Sequence, residues 1–75
     1  MLKEFTVCYT LDSDIKRGKL VKELNVKAED VLQEILKHME RNEYFVVDSN
    51  EGSYIINAAL VRYVRIVGEK ELVCM

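Results

Sequence analysis

The side chains able to do chemistry are few and scattered along the chain: one histidine, His38; two cysteines, Cys8 and Cys74; an acidic pair, Asp12 and Asp14, around Ser13; and a set of cations with a tyrosine among them. A general base or a metal ligand needs partners that converge on it. Glu34 lies one helical turn before His38, so a carboxylate–imidazole pair is open to it, but no nucleophile can be attached to the ring from the sequence. His38 therefore reads as a histidine at the border of an apolar stripe. The spacing of Asp12 and Asp14 opens many calcium loops, yet Lys16 and Arg17 stand where further oxygen donors are needed. Gly18, Gly52 and Gly68 are isolated and make no phosphate cradle. Cys8 and Cys74 fit neither the paired spacing of a zinc site nor a disulfide framework, which predicts two reduced thiols. Together these residues predict a protein that is not an enzyme and holds no metal or cofactor.

The cations are more suggestive. Lys16, Arg17, Lys19 and Lys22 form a basic stretch free of acids, and Arg62, Tyr63 and Arg65 add a tyrosine between two arginines. Small β modules bind single-stranded nucleic acid by stacking bases on aromatic rings beside cationic side chains, so this set is a candidate nucleic-acid or partner surface. Strand alternation places Tyr63 and Arg65 on one face, and Arg62 on the other with Val64 and Ile66. Between Ala28 and Glu51 acids dominate instead, so basic and acidic patches are expected on one small surface.

The elements that must carry these residues follow from periodicity. Phe5, Val7, Tyr9 and Leu11 alternate with polar residues, which predicts a half-buried strand from Leu2 to Leu11. Asp12 to Gly18 reads as the loop of a wide hairpin, ending on a glycine able to take a positive φ. Lys19 to Val26 reads as the return strand, with Lys22 blunting an edge. Val31, Leu32, Ile35, Leu36 and Met39 mark one apolar stripe of a helix from about Ala28 to Arg41. Asn25 is a possible cap, and Asn42 a left-handed stop. Tyr44 to Val47 is apolar at every position, which predicts a central strand covered on both faces. Asp48 to Gly52 reads as a hairpin loop, Ser53 to Ile56 as its return strand, Asn57 to Leu60 as a short turn and Val61 to Val67 as a further strand. Gly68 to Lys70 then allows a bend before a short sixth strand at Glu71 to Val73.

Tyr54-Ile55-Ile56-Asn57, followed by Val61, Val64 and Ile66, resembles the terminal strands of small SH3-like and Sm-like barrels. The expected fold is α+β: a curved antiparallel sheet of five or six strands with one packed helix (ββαβββ), or a partly closed barrel of the SH3-like or Sm-like kind. The 75 residues predict a single domain over 1–75. Its expected core is Phe5, Val7, Tyr9, Leu20, Leu24, Val31, Leu32, Ile35, Leu36, Met39, Phe45, Val47, Ile56, Val64 and Ile66.

Hydrophobic residues at 49% and charged residues at 32% suit a packed core under a solvated surface, and the formal net charge of -2 gives no overall pull toward nucleic acid or an anionic membrane. No apolar run approaches the roughly 20 residues of a membrane-spanning helix, and the N-terminus has no signal-peptide pattern, which predicts a cytoplasmic protein without a membrane partner. The expected function is a small non-enzymatic interaction or adaptor module that self-associates, because a core of this size gives little stability alone and its strand edges can pair. Its expected partner is itself, as a homodimer or higher oligomer, or another protein. Single-stranded nucleic acid through Arg62, Tyr63 and Arg65 is the alternative, and a small molecule held in a cleft between copies is the third reading.

Overall fold

The computed structural model describes residues 1–72. Their architecture is α+β, with five strands in two antiparallel sheets and one α-helix. Strand β1 (Leu2–Thr10) lies between β2 (Ile15–Glu23) and β5 (Tyr63–Leu72), while β3 (Tyr44–Ser49) and β4 (Gly52–Asn57) form a separate hairpin. The two sheets do not close into a barrel, and the single five- or six-stranded sheet expected from the sequence is divided in two.

The β1–β2 hairpin is tighter than its turn-forming residues suggest. Its register runs from Leu2 opposite Glu23 to Thr10 opposite Ile15, so Ile15 to Gly18 belong to the strand and not to the loop. The reversal is made by Leu11 to Asp14, with the Leu11 amide donating to the Asp14 carbonyl at 2.8 Å. Gly18 has no positive φ. It faces Val7 across the hairpin, and a Cβ there would overlap a methyl of Val47 and touch the Tyr9 ring at 3.4 Å. The glycine is needed because β3 crosses β2 at this point, a close approach that leaves no room for a side chain.

Helix α1 (Ala28–Arg41) coincides with the apolar stripe read from the sequence. Its cap is Lys27, not Asn25: the Asp30 carboxylate reaches back to accept from the Lys27 amide at 3.2 Å. Asn42 ends the helix in extended conformation (φ -128°), not left-handed, and its amide and side-chain Nδ2 both donate to the His38 carbonyl. Past β4, Asn57 accepts from the Ala59 amide and starts a 3-10 turn, Ala58–Leu60.

Strand β5 begins at Tyr63 and continues through Gly68 to Leu72, which pairs with Leu2. Glu71 and Leu72 therefore extend the fifth strand and do not form a sixth; Val73 lies outside the described residues, as does Cys74. A register shift opposite Thr6 and Val7 leaves Val67 as an extra residue, a bulge that bends this strand.

Phe5, Val7, Tyr9, Val31, Ile35, Phe45, Val47 and Ile56 are buried together, with Leu20, Met39, Val64 and Ile66 packed at their margin. Leu24, Leu32 and Leu36, expected inside, are exposed. Val31 and Ile35, four residues apart, face the sheets, which turns Leu32 and Leu36 about 100° away from the core. Leu24 falls in the turn after β2. Only one face of β3 is buried: Phe45 and Val47 point inward, while Tyr44 and Val46 face solvent.

Candidate interaction surfaces

The outer face of the β2–β1–β5 sheet gathers part of the predicted cationic set. Register places Arg17 and Arg65 on either side of Cys8, Lys19 and Gly68 on either side of Thr6, and Tyr63 beside Thr10. Because Val67 is bulged out, the alternation of β5 resets and Lys70 joins the same face, opposite Glu4. Two lines of cations thus flank a central strand of small side chains. The Glu4 carboxylate lies 3.4 Å from the Lys19 ammonium and 3.9 Å from that of Lys70. Arg17 and Arg65 have no acidic partner within 4 Å among the described residues, and Tyr63 is exposed. Cys8, expected on the polar-facing side of its strand, does face this way, but it is buried between its two neighbours.

The rest of the predicted set is elsewhere and engaged. Lys16, on the opposite side of β2, bonds the Asp14 carboxylate at 2.9 Å and lies 4.6 Å above the Tyr54 ring. This pairing, with the Ile15 amide donating to Asp14, holds the Asp14 carboxyl below its usual range and raises Lys16. Lys22 reaches the helix and bonds Glu34 at 2.7 Å. Arg62 bonds Asp12 at 2.6 Å. Asp12 and Asp14 thus each hold a cation of the chain, and the acidic and basic segments meet within one molecule through Lys22 and Glu34.

Glu34 is turned to Lys22 and not to His38. The imidazole instead meets Phe45 edge-on, with centroids 6.0 Å apart, and helps line a cleft of about 420 Å³ with Tyr9, Leu20, Arg41 and Val46. Tyr9 packs against Phe45 with centroids 5.5 Å apart, and burial pushes its phenol up to about 12. This arrangement brings one aromatic cluster together around the helix and supplies no nucleophile to His38.

A second surface escaped the sequence reading. On the outer face of the β3–β4 hairpin, Val46 stands directly opposite Ile55 with Tyr44 one row away, and these are exposed at 60%, 76% and 58%. The outer edge of β4 pairs with no other strand among the described residues. Gly52–Asn57 contains no charged residue and no proline. The signal in the sequence is the unbroken run Tyr44 to Val47, which puts apolar residues on both faces of β3; the second face, expected to be covered, is open to solvent.

No family model, curated protein or solved structure matches the chain. Function is therefore argued from these two surfaces. No helix among the described residues is long and apolar enough to cross a membrane.

Proposed function

We propose that the protein is a small interaction module that self-associates, and that it does so by pairing β4 with β4 of a second copy across a two-fold axis. The observation that carries this reading is the unguarded edge of β4 beside the exposed Val46–Ile55 pair. An edge strand offers unpaired amides and carbonyls, and natural proteins commonly blunt such edges with lysine, proline or a bulge. Strand β4 has none of these. Antiparallel pairing about Ile55 joins the two hairpins into four strands and sets Val46, Ile55 and their counterparts in one continuous apolar row. Backbone bonds provide attraction, while the row fixes register. Charge steering plays little part, because Lys22 and Glu34 already satisfy each other within one copy.

Ile55→Lys places a charge on this edge at a solvent-facing position, so monomer stability should change by no more than about 0.5 kcal/mol. Sedimentation equilibrium over a range of concentrations should find a dimer for the native sequence, with self-association weakened at least tenfold in Ile55→Lys, or about 1.4 kcal/mol. A monomer at every concentration in the native sequence, or a dimer indifferent to the substitution, overturns the reading.

A further inference from the structure

The outer face of the three-stranded sheet lies apart from the β4 edge and has its own chemistry. We infer that it is a binding platform for a single-stranded nucleic acid, carried by Arg17, Lys19, Tyr63 and Arg65, with Lys70 closing one end.

Three features of the face fit that ligand. The first is shape. Arg17 and Lys19 on β2 and Arg65 and Lys70 on β5 stand two strand spacings apart, roughly 9.6 Å, with Thr10, Cys8 and Thr6 between them on β1. Long cationic side chains along both sides of small ones make an open sheet face that one extended backbone can follow. The second is charge. Arg17 and Arg65 have no acidic partner among the described residues, so their guanidinium groups are free to take phosphates in bidentate fashion. Glu4, drawn to Lys19 and Lys70, marks the end of the cationic track. The third is the exposed Tyr63 ring, one row from Arg65 on the same face. A base lifted from a single strand can stack there while its phosphate meets the arginine. The Val67 bulge makes the set possible: without it, strict alternation would put Lys70 on the core face.

The predicted participants change accordingly. Arg62, held by Asp12, and Lys16 and Lys22, on the other side of β2, are outside this face. Arg17, Lys19, Tyr63 and Arg65 remain, and Lys70 is added.

Fluorescence anisotropy with a labelled oligouridylate at low ionic strength tests the assignment. The native protein should bind, and affinity should fall steeply with salt as counterions are released. The double variant Arg17→Ala/Arg65→Ala should lose at least tenfold. Tyr63→Ala should lose roughly five- to a hundredfold, as stacking on one aromatic ring requires. Lys22→Ala removes one positive charge from the opposite face, against two in the double variant, and should leave affinity within about twofold. Circular dichroism verifies that each variant is folded. Binding should persist in Ile55→Lys, which separates this surface from the β4 edge. Absence of binding at low salt overturns the inference. So does a loss in Lys22→Ala as large, per charge removed, as in the double variant, which would mean diffuse charge alone. Competition by heparin together with indifference to Tyr63→Ala overturns it as well, because a polyanion without bases would then be sufficient. Equal affinity for duplex does the same, since paired bases cannot reach the ring.

Discussion

Each sheet has two edge strands, and two of the four, β5 and β4, are of opposite character. Strand β5 carries Arg65, Glu69, Lys70 and Glu71 and is bent by the bulge at Val67, so a further strand meets charge and a broken register. Strand β4 is short, uncharged and unbulged, and it holds Ile55 against Val46 in full view of solvent. The faces differ as well: the three-stranded sheet carries Arg17, Lys19, Arg65 and Lys70 together with exposed Ile15 and Val21, whereas the hairpin face carries Tyr44, Val46 and Ile55 with no cation. One small chain thus presents a cationic face on one sheet and an unguarded edge on the other, so the two proposed surfaces fall on separate sheets. Both sheets share one core, which meets at the crossing of β2 and β3 and in the Tyr9–Phe45 pair.

The strongest test of that division acts on the crossing. Gly18→Ala puts a methyl where Val47 already stands, with the Asp48 carbonyl and the Tyr9 ring at 3.4 Å. The Val47 side chain or the strands around it must shift, and the expected loss is about 1–3 kcal/mol in a urea titration. Gly68→Ala serves as comparison, because its Cβ would meet only Thr6 side-chain atoms at 3.5 Å, an ordinary contact. Equal effects at the two glycines would mean that the sheets do not press together at Gly18.

A smaller effect sharpens the same seam. Burial holds the Tyr9 phenol neutral up to about pH 12, against 10.0 for a free tyrosine. The unfolded chain therefore loses this proton first, and stability contributed by the neutral ring is complete below pH 10 and declines between about 10 and 12. Tyrosinate absorbance should show a late step near pH 12 that Tyr9→Phe removes, and the variant should lose less stability across that interval than the native sequence. Loss of absorbance change near pH 10 in the variant, with no step near 12 to remove, would place the ring in water.

The parts of this fold legible in the sequence were those with local periodicity. The alternation around Phe5, Val7 and Tyr9 marked β1, and the stripe around Val31 and Ile35 marked the helix from Ala28 to Arg41. What escaped was set by contacts distant in sequence. Gly18 looks like a turn residue until β3 is known to cross it. Gly68 looks like a bend until Thr6 is seen opposite, and Val67 gives no local sign of bulging although it decides which face Lys70 joins. Leu32 and Leu36 belong to the apolar stripe, but with Val31 and Ile35 facing the sheets they are turned away from the core and exposed. At the candidate sites, residue types were legible and assembly was not: Tyr63 and Arg65 were placed together by alternation, while the match of Arg17 to Arg65 across Cys8 depends on the pairing of three strands.

The central claim is that β4 is the edge that pairs and β5 the edge that is guarded. Amide hydrogen exchange at residue resolution, recorded at a concentration below the dimer transition and again well above it, compares the two edges in one experiment. Protection should rise with concentration at the amides of Ser53 to Asn57 that point away from β3, and stay constant from Tyr63 to Leu72. Exchange at β4 that does not change with concentration, or protection that rises at β5 instead, would contradict the account.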